Sequence, residues 1–249
     1  MPDTPIALVT GANQGIGRQI AKDLAAHGHT VLVGSRHHEH GVTAAREIGP
    51  EALALQLDVT DRHSIAAAAE HIATEFGRLD VLVNNAGISN AGAPGRTLEQ
   101  IAASGRLSVV PLDELRAIFD TNVFGVVALT QAMLPFLRKA PGARIVNVSS
   151  RAGSLTLNSD PTNPNRFLLG AYTSSKAALN AITMAFALDL EPEGIKVNAV
   201  CPGFTSTNLN NFQGTRSVEQ AARQPVRLAL LDSDGPTGTF SDDDGPVPW

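Results

Sequence analysis

The sequence is poor in the residues that mark secreted, membrane-bound or nucleic-acid-binding proteins. Its 249 residues include one cysteine, Cys201, which excludes an internal disulfide and agrees with a reducing cytoplasm. Charged residues make up 17% of the chain and the net charge is −5, so no basic surface for a phosphate backbone is expected. No cationic segment precedes the first apolar run at 6–9, and the longest uncharged helix-like stretch, 121–137, falls short of a membrane span. These absences favour a soluble cytoplasmic protein with no nucleic-acid or membrane partner.

Aromatic residues are also scarce, at 4%, and the single tyrosine, Tyr172, stands four residues before Lys176. In a helix these two side chains lie on one face. A nearby cation lowers the pKa of a phenol, ordinarily about 10, by roughly 1–3 units, which would allow proton exchange near neutral pH. The same pair also fits a buried aromatic beside a surface lysine. Taken alone, the spacing favours this second, structural interpretation, and the pair matters only if the rest of the chain brings a cofactor to it.

Hydrophobic residues make up 43% of the chain, which fits one large domain spanning 1–249. Short apolar runs predict strands at 6–10, 30–35, 52–57, 81–84, 144–149, 195–201 and 238–240. Helix-length segments between them predict helices at 16–27, 42–48, 62–76, 112–137, 171–190 and 218–231. This alternation predicts an α/β fold with a doubly wound, seven-stranded parallel sheet and helices on both faces. Ligands bind such a sheet at the carboxyl ends of its strands.

Two long segments interrupt the alternation, at 89–111 and 151–169. Both are predicted as loops, and both follow strand carboxyl ends. Long loops in that position are usually functional. We expect these two segments to wall a substrate pocket.

The first turn, from Thr10 to Gly17, carries three glycines between a strand and a helix. Glycines there let the backbone approach a pyrophosphate, and the helix N-terminus supplies amide donors. The spacing Gly-x-x-x-Gly-x-Gly differs from the dinucleotide fingerprint G-x-G-x-x-G, and a glycine turn by itself is also ordinary turn chemistry.

Five motifs in order resemble the short-chain dehydrogenase/reductase family, closest to its carbonyl reductase branch. They are Thr10-Gly-x-x-x-Gly-x-Gly17, Asn84-Asn85-Ala86-Gly87, Ser150, Tyr172-x-x-x-Lys176 and Pro202-Gly203. The resemblance covers nearly the whole chain. It implies a Rossmann fold and an NAD(P)-dependent oxidoreductase that reduces a carbonyl group to an alcohol.

The resemblance implies a role for each catalytic residue. Tyr172 would be the general acid, and Lys176 would lower its pKa and hold the nicotinamide ribose. Ser150 would hydrogen-bond the substrate oxygen. Ser150 is favoured over Ser149 because the family serine directly precedes two residues and a glycine, and because neighbouring strand residues point to opposite faces. Asn122 would bind a water that connects Lys176 to solvent.

The resemblance also assigns cofactor contacts, with the adenine amino group at Asp58, the adenosine ribose along the Asn84–Gly87 motif, the nicotinamide carboxamide at Pro202-Gly203 and the phosphates near Thr207. The full set expected to bind the cofactor is Gly11, Asn13, Gln14, Gly15, Ile16, Gly17, Ser35, Arg36, Asp58, Val59, Asn85, Ala86, Gly87, Tyr172, Lys176, Pro202, Gly203 and Thr207.

Cofactor preference depends on the end of the second strand. NAD enzymes place an acid there, whereas this chain has Ser35 and Arg36. A guanidinium can bind a 2′-phosphate with two hydrogen bonds, so NADP(H) is expected, with NAD(H) possible. One departure opposes this preference, because carbonyl reductases often carry lysine where this chain has Gln14.

Three conspicuous features are expected to be structural. The run from His37 to His40 is not expected to bind metal, because adjacent side chains point in different directions. Cys201 is expected to be a small buried hydrophobe rather than a nucleophile. The run Asp242-Asp243-Asp244 is expected to be a solvated turn.

Substrate and assembly are the least constrained properties. Phe167, Leu168, Leu169 and Phe204 suggest an apolar ketone, aldehyde or quinone. Twenty-one residues separate Ser150 from Tyr172, more than most family members have, so 156–166 is expected to be an insertion. A longer insertion in monomeric carbonyl reductases covers the oligomer helix, so a monomer or homodimer is expected here. A regulator that binds NADP without turnover is the alternative function.

Overall fold

The computed structural model describes residues 4–92, 95–164, 166 and 170–249. These form an α/β Rossmann fold built on one sheet, as the sequence predicts. Its strands are β1 Ile6–Val9, β2 Thr30–Ser35, β3 Ala52–Gln56, β4 Val81–Asn84, β5 Arg144–Val148, β6 Lys196–Val200, β7 Phe240–Asp242 and β8 Gly245–Pro246.

The sheet has the order β3-β2-β1-β4-β5-β6-β7-β8. Strands β1 to β7 run parallel, and β8 pairs antiparallel with β7. The prediction of seven strands is therefore wrong by one, since a two-residue strand turns back on the last parallel one. Chain order reverses between β1 and β4, and the carboxyl ends of strands at such a reversal form a crevice.

Helices cover both faces of the sheet. They are α1 Gly15–Ala26, α2 His38–Ile48, α3 Arg62–Glu75, α4 Leu98–Ser104, α5 Leu112–Phe119, α6 Gly125–Leu137, α7 Leu155–Ser159, α8 Ala171–Leu190 and α9 Val218–Ala229. A π-helical turn, Asp120–Phe124, joins α5 to α6. The run from His37 to His40 begins α2, four residues earlier than predicted.

Helices α4 and α7 lie within the two segments that were predicted as loops. Thr97 and Gln100 form a capping box at the start of α4, and the buried Ser154 accepts a hydrogen bond from the Leu157 N–H at the start of α7. Side-chain caps of this kind satisfy amides that have no partner inside the helix. Both segments are therefore partly ordered by local hydrogen bonds.

The strands read as continuous apolar runs because each face of the sheet has its own core. Leu8 of β1 packs into the core on one face, whereas Ala7 and Val9 pack into the core on the other. Both cores are fully removed from water at these positions. Successive residues of a strand point to opposite faces of the sheet. Because both faces are covered by apolar cores, neither face of the sheet is polar.

Among the described residues, one helical run, Leu112–Leu137, is long and apolar enough by length and composition to cross a membrane. The estimate from 121–137 alone missed this, because the helix extends back through α5. Leu129, Met133 and Leu137 of the run are fully buried in the core. Packing inside the domain therefore accounts for its apolar character.

The histidine between α1 and β2 supplies a test of how burial governs stability. His29 is buried, its Nδ1 has no partner among the described residues, and burial lowers its pKa against the opposing charge of Asp80. The folded protein therefore binds fewer protons at this site than the unfolded chain does. We expect the thermal midpoint to fall as the pH drops from about 7 to about 5, where the unfolded histidine becomes protonated.

The substitution His29→Gln removes this ionisation and should make the dependence of the thermal midpoint on pH shallower. His63→Gln, at an exposed position on α3, is the matched control and should leave the slope unchanged. Equal slopes in wild type and His29→Gln would contradict the assignment.

Candidate active site

A groove of about 840 Å³ runs along the carboxyl ends of the strands. Loops after β1, β2, β3, β4, β5 and β6 all contribute to its lining. All residues predicted to contact the cofactor line it except Ser35 and Gly203. The groove therefore collects residues that are far apart in sequence at the reversal of strand order.

The glycine turn after β1 forms the floor of one end of the groove. Gly11 and Gly15 have φ values of +61° and +57°, in the left-handed region that favours glycine. A Cβ on Gly17 would lie 2.4 Å from Asn85 Nδ2 and 2.6 Å from the Gly11 carbonyl oxygen. The turn has no room for a side chain at that position. The backbone and the N-terminus of α1 are thereby left open to the groove, as an anion-binding turn requires.

A set of hydrogen bonds joins this turn to the end of β4. The Thr10 hydroxyl oxygen accepts hydrogen bonds from the N–H groups of Asn85 and Ala86, at 3.0 and 2.9 Å. In return, Asn85 Nδ2 donates to the Thr10 carbonyl at 2.9 Å. The Asn-Asn-Ala-Gly motif is thus a brace between β1 and β4, and its residues Asn85, Ala86 and Gly87 also line the groove.

Tyr172 and Lys176 lie one turn apart at the start of α8 and both line the groove. Lys176 is buried and its Nζ donates to the Val148 carbonyl oxygen at 2.8 Å. The same nitrogen lies 5.8 Å from the centroid of the Tyr172 ring. The last carbonyl of β5 therefore holds the ammonium beside the phenol.

Burial shifts the pKa values of Tyr172 and Lys176 in the directions that favour the uncharged form of each side chain. It raises the pKa of Tyr172 to about 12, the Cys201 sulfur adds to the rise, and a hydrogen bond from Ser150 opposes it. It lowers the pKa of Lys176 to about 8, with Cys201 opposing. The pKa of the phenol is therefore raised in this structure, and loss of water around the ring is the largest cause. The predicted effect of Lys176 on that pKa stays a prediction.

The two serines after β5 point in different directions. Ser149 is buried and donates to Asn180 Oδ1 at 2.5 Å. Ser150 instead accepts the Ala152 N–H at 3.2 Å, and its side chain lies close enough to the phenol to lower the pKa of Tyr172. Of the two, only Ser150 has its hydroxyl beside the phenol.

Asn122 lies in the π-helical turn and is fully buried. Its Oδ1 accepts the Ile88 N–H at 2.9 Å, and its Nδ2 donates to the Ile88 carbonyl at 2.9 Å and to Ser175 Oγ at 3.0 Å. Both amide hydrogens are therefore used. The side chain ties the segment after β4 to α8 instead of facing the groove, so it is not free to bind the expected water through its N–H groups.

At the opposite end of the groove, Arg36 is exposed and has no hydrogen bond or ion pair with any described residue. Arg18 also lines the groove, but it forms a 2.6 Å ion pair with Glu47. Ser35 does not reach the groove, because it is buried and donates to the His37 carbonyl at 2.9 Å. Its assignment to cofactor binding stays a prediction. Asp58 lines the groove, with one carboxylate oxygen accepting the Thr60 N–H and hydroxyl.

The loop after β6 closes the groove from the side. Pro202 and Thr207 line it, whereas Gly203 faces Arg216, whose Cδ lies 2.4 Å from the position of a Cβ. Gly203 is therefore required by packing, and the structure does not bring it to the groove. Leu209 and Phe212 of the same loop line the groove and are exposed, although no sequence pattern singled them out.

An ion pair that the sequence also failed to reveal orders the segment after β4. Arg96 and the buried Glu114 lie 2.7 Å apart, and Glu114 also accepts the Ala91 N–H at 3.2 Å. Ser89 donates to the Leu209 carbonyl at 3.1 Å, which joins this segment to the loop after β6. The two walls of the groove are thus tied to each other.

Comparison with known proteins agrees with this geometry. The family model described as short chain dehydrogenase matches residues 5–217. A short-chain dehydrogenase of Penicillium roqueforti is 38% identical, covering 90% of this chain and 88% of that protein. The (-)-isopiperitenone reductase of Mentha piperita is 34% identical, covering 94% and 95%. The structure of salutaridine reductase from Papaver somniferum superimposes with a TM-score of 0.79 at 30% identity, covering 95% of this chain and 99% of that one.

The ionisation of Tyr172 can be measured directly, because the chain has no other tyrosine. With a pKa of about 12, the phenol of the native protein should remain mostly protonated at about pH 11. The same protein in denaturant should be mostly ionised at that pH, since an exposed tyrosine has a pKa of about 10. Near-ultraviolet absorbance of tyrosinate reports both states. Equal absorbance in native and denatured samples would show that burial does not protect the phenol.

Proposed function

The chain belongs to the short-chain dehydrogenase/reductase family and is an NAD(P)-dependent oxidoreductase, and we propose that it reduces a carbonyl compound to an alcohol with NADPH. The observation that carries the proposal is that Tyr172 and Lys176, one turn apart on α8, both line the groove, with Ser150 close enough to the phenol to lower its pKa. Two relatives that carry the name reductase support the direction of the reaction.

The groove fits a dinucleotide in shape and charge. Its floor at Gly17 excludes a side chain, the N-terminus of α1 opens onto it, and Arg36 at its rim has no partner among the described residues. These are the features that a pyrophosphate and a 2′-phosphate require. The bound cofactor supplies the hydride, and the protein supplies orientation and the proton.

Tyr172 is the proton donor. Its O–H gives a proton to the carbonyl oxygen of the substrate as that oxygen gains negative charge. The Ser150 hydroxyl donates a hydrogen bond to the same oxygen and stabilises the charge that develops there. Lys176 is held beside the phenol by its hydrogen bond to the Val148 carbonyl, and its ammonium stabilises the phenolate that remains after the proton has left. Asn122 positions Ile88 and α8 around this centre.

The pKa values favour reduction. A phenol with a pKa of about 12 is protonated throughout the neutral range, so it is ready to act as an acid. An alkoxide formed by hydride addition is a much stronger base than a phenolate, so proton transfer to it is favourable. Oxidation would need a phenolate, which the buried site disfavours until a positive charge is bound nearby.

The substrate is proposed to be an apolar ketone, aldehyde or quinone. Leu209 and Phe212 line the groove, and Phe204 is half-exposed on the same loop, so this wall is apolar. Phe167, Leu168 and Leu169, which the sequence also suggests for this wall, lie outside the described residues. We further propose a cytoplasmic monomer or homodimer, and a tetramer by light scattering would contradict that assembly.

Replacement of the phenol tests the catalytic assignment. Tyr172→Phe should lower kcat for carbonyl reduction by roughly 10²–10⁴-fold while NADPH still binds, because only the transferable proton is lost. A steady-state assay measures kcat, and a fluorescence titration measures the binding of NADPH. Ser174→Ala, on the same turn of α8, is the control and should retain activity. Full activity in Tyr172→Phe, or no turnover by wild type across a carbonyl panel, would favour a cofactor-binding regulator instead.

Arg36 tests the preference for NADPH. Wild type should have a lower KM for NADPH than for NADH, and Arg36→Ala should raise the KM for NADPH at least about tenfold with little change for NADH. The loss corresponds to a charge-assisted hydrogen bond of about 1.5–3 kcal/mol. Arg46→Ala removes another exposed cation from α2, outside the groove, and controls for general electrostatic attraction. Equal or better use of NADH by wild type would overturn the preference.

A further inference from the structure

The acidic run near the end of the chain is a solvated turn only in part, because Asp243 and Asp244 form a turn and Asp244 is exposed, whereas Asp242 is not. Asp242 ends β7, is buried, and forms a 2.6 Å ion pair with Arg151. Asp243 pairs with Arg216. Arg151 is the residue directly after Ser150, so the hairpin of β7 and β8 is bonded to the chain one residue from the proposed catalytic hydroxyl.

Two further contacts hold the same segment to the end of the chain. The Thr156 N–H and the Ser154 hydroxyl both donate to the Trp249 carbonyl oxygen, at 2.9 and 3.3 Å. The Trp249 ring stacks on Phe240 of β7, with 5.5 Å between ring centroids. Residues 151–156 are therefore attached to the C-terminal hairpin at both ends.

The other side of this segment lies against α8. A Cβ on Gly153 would stand 2.6 Å from the backbone carbonyl carbon of Lys176, so the turn Arg151–Gly153 contacts the helix with no intervening side chain. That helix carries Tyr172. The turn is held between α8 and the hairpin, and Ser150 precedes it with its Oγ accepting the Ala152 N–H.

We propose that Asp242 is a positioning residue for catalysis, fixing Ser150 against Tyr172 through its ion pair with Arg151. This inference rests on the proposed function, in which Ser150 and Tyr172 act on the substrate oxygen. Asp242 itself touches neither group. The ion pair restricts the movement of Ser150, the proposed catalytic residue that lies outside a helix or strand. Such restriction matters because a displacement of about 1 Å in a catalytic group can reduce the rate by up to about a hundredfold.

The substitution Asp242→Asn isolates this effect. The amide retains the oxygen that accepts the Asp244 N–H, and it removes the charge that holds Arg151. Arg151 is half-exposed, so loss of the pair should have little effect on folding. Arg151→Gln breaks the same pair from its exposed side and serves if Asp242→Asn does not fold. Glu193→Gln is the control, because it breaks an Arg–carboxylate pair of equal length, 2.6 Å, at the far end of α8.

Kinetics supply the first readout. We expect Asp242→Asn to lower kcat about tenfold with an unchanged KM for NADPH, and Glu193→Gln to match wild type. Ser150→Ala should lower kcat by about 10²–10³-fold. In the Ser150→Ala background, Asp242→Asn should have no further effect. A tenfold loss that persists in the double variant would mean that Asp242 does not act through Ser150, and the inference would fail.

Tyrosinate absorbance supplies a readout that is independent of turnover. The hydrogen bond from Ser150 lowers the pKa of Tyr172, so its loss should leave less tyrosinate at about pH 11. Ser150→Ala and Asp242→Asn should both absorb less than wild type, and Glu193→Gln should equal it. Emission from Trp249, the only tryptophan, checks that the hairpin remains in place. If wild type reduces no carbonyl compound, the proposed function fails, and this measurement still decides whether Asp242 positions Ser150.

Discussion

Burial of the Lys176 ammonium beside the half-buried Tyr172 is the constraint around which the site is built. An ammonium can be buried only with a close acceptor, and the Val148 carbonyl at the end of β5 supplies it. The approach needs a small neighbour at Gly153, where a Cβ would overlap the helix backbone. The carboxyl end of β5 and the start of α8 are therefore held together by one buried charge.

Burial also sets the chemistry that the pair supports. It raises the pKa of the phenol and lowers that of the ammonium, so both groups become less charged near neutral pH. The phenol is protonated near neutral pH and lies next to a lysine whose pKa is lowered to about 8. The phenol can therefore give a proton to a substrate oxygen that gains negative charge.

The sequence predicts the parts of this structure that local rules govern. Gly11, Gly15 and Gly17 mark the turn because backbone geometry there excludes side chains, and the apolar runs mark strands because both faces are covered. Helix α4 could also have been predicted, since Thr97 and Gln100 form a capping box. Asp242 could not have been, because its partner Arg151 lies 91 residues away in the sequence. The partner of Ser35 is local, since its hydroxyl donates to the His37 carbonyl two residues on, but the sequence alone does not show that the hydroxyl turns to the backbone.

The same distinction separates the catalytic groups. Tyr172 and Lys176 are fixed by α8 itself, because helix geometry determines their spacing and one face is buried. Ser150 follows β5 and precedes a short turn, so no regular element fixes its hydroxyl. Its position must come from contacts outside the strand, and α8 supplies them on one side through Gly153. On the other side Asp242 of β7 pairs with Arg151, and Asn158 of α7 donates to the Ala152 carbonyl at 2.7 Å. The last parallel strand of the sheet is therefore one of the contacts that hold the turn next to the proposed catalytic hydroxyl.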